Sequence, residues 1–255
     1  MHLPIRGYWT MVLNIAENQE LEDALPIILQ YQVDGLIITS ATLSSHLAEE
    51  CARSGTPVVL FNRYATDAHT HVVMCDNETG GRMVADTFLD AGLRRLAYIA
   101  GEESSSTNRD REHGFSSRLQ ERGFTLIQRE CAGDYSYELG YEAAGRLFQA
   151  TPYPDAVFCA NDLIAMGAYD FIRDQLGLKI PDEVSLIGFD DIPSTALARY
   201  SLTTIRQPFG KLVESTIEVL LNAVKEPDKE VVELVVQPTL VWRKSSRGVD
   251  KSTKL

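Results

Sequence analysis

The chain has 255 residues, a formal net charge of −12, 44% hydrophobic and 24% charged residues, an ordinary globular composition with room for one large domain or two lobes of about 120 residues. The acidity speaks against direct binding to a phosphate backbone, which needs clustered Lys and Arg. No apolar run approaches the roughly 18 residues of a membrane helix, and the opening MHLPIRGYWTM has no apolar export core.

Taken in chain order, short apolar runs alternate with longer amphipathic stretches. Strands are predicted at Met11–Ile15, Gly35–Thr39, Pro57–Phe61, Leu96–Ala100, Ala156–Ala160 and Val184–Gly188. They are nearly continuous in apolar residues, as strands covered on both faces should be. Helices are predicted between them at Leu21–Tyr31, Ser44–Ser54, Gly80–Ala91, Arg109–Arg122, Glu138–Gln149 and Leu163–Leu176. Pro26 sits inside the first of these, where an interior proline costs about 3 kcal/mol unless the helix kinks or starts there. Strand–helix alternation predicts parallel sheets in an α/β fold.

Towards the end, Val213, Ile217, Leu220, Leu221 and Val224 mark one face of a helix. VVELVVQPTLVW then offers two strands broken at Pro238, where the chain is expected to bend or change sheet. The tail SSRGVDKSTKL is polar and is expected to fray. The four cysteines, Cys51, Cys75, Cys131 and Cys159, are scattered without a C-x-x-C, which suits a reduced, cytoplasmic compartment.

In open parallel sheets, ligands bind beyond the carboxyl ends of the strands. Those ends carry Asn62 and Arg63, Asn161 and Asp162, and Phe189, Asp190 and Asp191. Each polar group could meet a small polar ligand, or could equally cap the next helix. Enzyme readings fare worse. The chain contains no G-x-S-x-G, no G-x-x-x-x-G-K-[ST] and no G-x-G-x-x-G. Asp190-Asp191 lacks the further acids a metal-dependent hydrolase would want. His69-x-His71 lacks supporting zinc ligands and reads as a loop or edge strand. No metal, cofactor or enzymatic activity is expected.

Five segments together resemble the effector-binding core of LacI/GalR-family transcriptional regulators, itself similar to periplasmic sugar-binding proteins. They are TPVVLFNRY (56–64), DNETGGRMVADTFLDAGLRRLAYIAG (76–101), PDAVFCANDLIAMGAYDFI (154–172), EVSLIGFDDIPSTAL (183–197) and LTTIRQPFGKLVESTIEVLLNAV (202–224). The resemblance implies two Rossmann-like lobes with parallel sheets joined by three crossovers, the periplasmic-binding-protein-like type I arrangement. The first lobe would take residues 1–102 and 207–236, the second 103–206 and 237–245, with 246–255 as a tail. Carried over position by position, it implies ligand contacts from Asn62, Arg63, Arg111, Tyr135, Asn161, Asp190 and Gln207, with Phe189 walling the pocket. Asp191 is expected to cap the following turn.

The implied ligand is a small-molecule effector, most simply a sugar or sugar derivative: Asp accepts from adjacent hydroxyls, Arg and Asn donate, and Tyr135 offers an apolar face. An anionic or purine effector also suits Arg63 and Arg111. The implied assembly is a homodimer in the cytoplasm, meeting operator DNA only through a headpiece whose pattern this chain does not show. A transport-type periplasmic sugar-binding protein is the alternative. The family core also begins with a strand and helix for which the residues before Trp9 leave little room, so a first lobe lacking that unit is expected.

Overall fold

The computed structural model describes residues 7–14, 30–39, 53, 55–64, 70–227 and 230–248. Within them the chain runs β1 (Leu36–Ile38), β2 (Val58–Phe61), β3 (His71–Cys75), α1 (Asn77–Asp90), β4 (Leu96–Ala100), α2 (Ser106–Glu121), β5 (Gln128–Cys131), α3 (Tyr137–Leu147), β6 (Ala156–Cys159), α4 (Asp162–Asp170), β7 (Ser185–Asp190), β8 (Thr203–Arg206), α5 (Phe209–Lys225), β9 (Glu233–Val236) and β10 (Thr239–Val241). It divides into two compact units, Met1–Cys75 with Pro208–Val236, and Asp76–Gln207 with Gln237–Leu255. No helix among the described residues is long and apolar enough to cross a membrane.

The first unit holds a four-stranded sheet in the order β1-β2-β3-β9, parallel at every pairing. Val58, Leu60, Val72 and Ile38 form its buried cluster. Helix α5 packs on β2 and β3 through Leu212, Thr216, Ile217, Leu220 and Leu221, an apolar stripe at helical spacing.

The second unit holds a six-stranded sheet in the order β10-β8-β7-β6-β4-β5. All pairings are parallel except that of β10 with β8. Phe115 of α2 stacks edge-on against Phe158 of β6 at 5.1 Å and Phe88 of α1 at 6.2 Å, filling the core between helices and sheet. Helices α1 and α2 pack closely because neither carries a Cβ at the crossing. A side chain on Gly81 would meet the Arg111 carbonyl oxygen at 2.2 Å, and one on Gly114 the Glu78 carbonyl oxygen at 2.0 Å. Parallel strands put the carboxyl ends of β4, β6 and β7 on one edge of the sheet.

The structure departs from expectation in several places. Residues 76–102 belong to the second unit, because β4 hydrogen-bonds to β5 and β6 and α1 packs on α2. Residues 11–14 form no strand; Trp9 and Val12 are 97% and 78% exposed. Ile15 and nearly all of the predicted helices Leu21–Tyr31 and Ser44–Ser54, Pro26 included, lie outside the described residues. Strand β5 escaped the apolar-run criterion because Gln128, Arg129 and Glu130 interrupt it, and β3, although Val72–Cys75 is apolar, was not among the expected strands. Helix α4 stops at Asp170 and passes into a π-turn, Phe171–Gln175. The chain does change sheet at Pro238, between β9 and β10. The tail is not frayed at its start. Ser245 and Ser246 are buried, with the Ser245 hydroxyl donating to the Leu186 carbonyl at 2.6 Å and accepting from the Thr203 amide at 2.8 Å.

Candidate functional site

The end of β7 is the centre of the site. Phe189 is the last fully buried strand residue, and Asp190 still pairs with Arg206 of β8. The backbone then turns through φ +113° at Asp190 and +62° at Asp191, positions that cost a side-chain-bearing residue on the order of 1–3 kcal/mol each. Such a turn persists only where its surroundings hold it.

Arg111 reaches this point from α2. It is 3% exposed, and each guanidinium nitrogen is engaged. Nε donates to Asn77 Oδ1 at 2.9 Å, Nη1 to the Ala160 carbonyl at 2.6 Å and Nη2 to Asp190 Oδ1 at 3.2 Å. Its central carbon lies 3.7 Å from the Phe189 ring centroid, within cation–π range. A guanidinium has five N–H groups, so this geometry leaves two for a further acceptor.

Asp190 Oδ1 also accepts from Gln207 Nε2 at 2.6 Å. The carboxylate thereby sets the amide's orientation, and Gln207 Oε1 is left buried without a partner. The Asp190 side chain keeps 27% of its surface exposed, and none of its described bonds uses Oδ2. Burial pushes its carboxyl above the usual range, against the pull of Arg111 and Gln207. The cluster thus offers a carboxylate oxygen, an amide oxygen and guanidinium N–H groups, a set that complements a molecule bearing adjacent hydroxyls.

Asp191 differs from its neighbour. It accepts from Thr195 Oγ1 in the following turn at 3.2 Å, as a capping residue would. It also binds Arg206 at 2.6 Å and Arg243 at 2.7 Å, which hold its carboxyl below the usual range although burial alone would raise it. Asp162, fully buried at the start of α4, is pushed up to about 8, by burial first and by the charge of Asp190 second.

Asn161 takes its capping role: its Oδ1 accepts from the Ile164 amide at 2.9 Å, leaving the amide nitrogen for a ligand. Tyr135 lies against Gly101, where any side chain would strike its ring, and its hydroxyl is 3.3 Å from Thr107 Oγ1. Thus Arg111, Phe189, Asp190 and Gln207 are brought together, with Asn161 beside Ala160. Asn62 and Arg63 belong to the first unit. Asn62 sits at φ +58° after β2, and its Oδ1 accepts from the Cys75 amide at 3.2 Å. Asn77 and Thr107 were not singled out as contacts from the sequence, and Asp162 was read there as either a strand-end ligand group or a helix cap. Asn77 opens a helix, so capping explained it and nothing local marked a second role. His71 lies in β3 and its Nδ1 accepts from the Val232 amide, while His69 lies outside the described residues. No group of His, Cys, Asp or Glu among the described residues could hold a metal ion.

Residues 85–246 match the periplasmic binding protein-like domain family. Over 247 residues the chain is 30% identical to the HTH-type transcriptional repressor PurR of Photobacterium profundum, covering 96% of this chain and 74% of that protein. The chain belongs to the LacI family of transcriptional regulators. It is also 32% identical over 233 residues to the ribose operon repressor of Haemophilus influenzae, covering 90% and 69% of the two chains. A LacI-family regulator from Enterococcus faecium, solved with bound ribose, superimposes with a TM-score of 0.85 at 24% identity, over 97% of this chain and 91% of that one. What the family establishes here is an effector-binding core, in a lineage of repressors rather than enzymes. Of the expected contact residues in this LacI-family core, Arg111, Tyr135, Asn161, Phe189, Asp190 and Gln207 lie inside the matched domain, and Asn62 and Arg63 precede it.

Proposed function

We propose that this chain is the effector-binding and dimerisation core of a sugar-responsive LacI-family repressor. Asp190, Arg111 and Gln207 grip ligand hydroxyls, Phe189 and Tyr135 provide apolar walls, and Asn161, Asn62 and Arg63 supply further polar contacts. The observation that carries the reading is the Asp190–Arg111–Gln207 cluster stacked on Phe189: one free carboxylate oxygen, one orphaned amide oxygen and spare guanidinium N–H groups at a strand end. The ribose operon repressor among the relatives and the ribose-bound neighbour favour a pentose or a related sugar. The same relatives disfavour a transport-type binding protein.

Effector binding draws the two lobes together and shifts the dimer between arrangements of different operator affinity in a regulator carrying a DNA-binding headpiece. The ligand's preference for one state supplies the coupling. Isothermal titration calorimetry with D-ribose, other pentoses and hexoses, sugar acids and guanine tests this. A sugar should bind, and Asp190→Ala should abolish the heat. Binding of guanine with no sugar response would overturn the sugar assignment.

A further inference from the structure

The strained turn at Asp190–Asp191 is held from two sides. On one, Arg206 and Arg243 clamp the Asp191 carboxylate. On the other, Asp162 reaches across from the first turn of α4. Its Oδ2 accepts from the Ile192 amide at 2.9 Å, and its Oδ1 accepts from the Thr204 hydroxyl of β8 at 2.6 Å. Gly188 leaves room for this carboxylate: a Cβ there would stand 2.3 Å from Asp162 Oδ1 and displace it.

We propose that Asp162 is a positioning residue for effector binding, holding the 190–192 turn through Ile192 and so aiming Asp190 at its ligand. This rests on reading Asp190 as an effector contact. Asp162 is fully buried, and its hydrogen-bond partners are the Ile192 amide in the turn after β7 and the Thr204 hydroxyl of β8. The groups around it are the Asp190 carboxylate, the Asp191 and Ile192 amides and the Thr204 hydroxyl, with Cys159 of β6 close by. Burial first and the charge of Asp190 second raise the Asp162 carboxyl, while the Thr204 hydroxyl and the Ile192 and Asp191 amides pull it back. The protonated acid retains an oxygen for Ile192, and so does an asparagine, whose Nδ2 can donate to a rotated Thr204 hydroxyl.

The test measures amide hydrogen exchange by mass spectrometry, together with carbon-13 NMR titration of Asp190, on the whole chain without ligand. Asp162→Ala should speed exchange across 189–196 at least tenfold while the β4 segment keeps its protection. Asp162→Asn should restore protection of 189–196, with an altered Asp190 titration. Unchanged exchange in Asp162→Ala, or an equal rise throughout the second unit, would overturn the proposal. If Asp162→Ala does not fold, Thr204→Val removes the hydroxyl that fixes Oδ1 and should loosen the same segment several-fold; no loosening overturns it equally. Calorimetry with D-ribose then separates the two ideas. No ribose binding by the unmodified chain counts against the sugar reading alone, whereas ribose binding that Asp162→Ala leaves untouched sinks the positioning role.

Discussion

The Arg111 guanidinium carbon lies over the Phe189 ring, 3.7 Å from its centroid, while Nη2 donates to Asp190, the next residue in the strand. One dipeptide of β7 thus supplies both the face and the counter-charge for a single buried cation. Stacking and a planar donor fork are properties of arginine that lysine does not share. Arg111→Lys should therefore weaken effector binding at least tenfold and cost about 1–3 kcal/mol, since the Asn77 and Ala160 oxygens lose their donors. Urea denaturation and calorimetry check the two halves. A variant that binds normally would remove the fork from the site.

Gly188 predicts a packing limit. Gly188→Ala would set a methyl group against the Asp162 carboxylate at 2.3 Å and the Leu202 side chain at 3.2 Å. Overpacking of this kind costs typically 1–3 kcal/mol, and here it also pushes on the carboxylate that meets Ile192. A lowered denaturation midpoint with weakened effector binding is expected. A neutral result would mean that α4 can move away from β7 freely.

Ser245 ties the chain end to the sheet. Ser245→Ala leaves the Thr203 amide and the Leu186 carbonyl each short of a partner, and unsatisfied buried groups cost about 1–3 kcal/mol. Thermal unfolding should show a loss of that size. If Ser245→Ala melts like the parent, water replaces the hydroxyl at that position.

The pH dependence follows from Asp162 and Asp190, both raised above their usual range, Asp162 to about 8. A carboxyl that holds its proton more tightly when folded contributes stability at low pH and loses it as pH rises through the folded value. Stability from this pair should fall between about pH 4 and pH 8. Asp191, held low by Arg243 and Arg206, works the opposite way and is lost only on acidification below about pH 4. Denaturation curves at pH 5.5 and 8.5 should show lower stability at the higher pH, with a smaller difference in Asp190→Asn. An equal difference in that variant would uncouple the two acids.

Much of the second unit was legible along the chain. The apolar runs Leu96–Ala100 and Ala156–Ala160 sit in the sheet as expected because burial on both faces leaves an unbroken apolar signature. Gln128–Cys131 was not legible, since an edge strand needs no such signature. The strand-end rule found Asp190 and Asn161 directly. Arg111 and Gln207 came only from the family resemblance, and the strand-end rule named Asp162 without showing that it meets the Ile192 amide.

By itself, then, the order of residues determined the alternation of apolar strands and amphipathic helices through the second unit, and which polar groups arrive at the carboxyl ends of parallel strands. These depend on neighbours within a few positions. Only the tertiary structure decided how Asp190 and Asp191 part company, one bound to Arg111 and Gln207 and the other to Arg206 and Arg243. It also decided that residues 76–102 join the second unit, and that Asp162 lies beneath the turn. Those outcomes rest on contacts between residues far apart in the chain, where hydrogen-bond geometry and burial, rather than local pattern, set the partner of each charge.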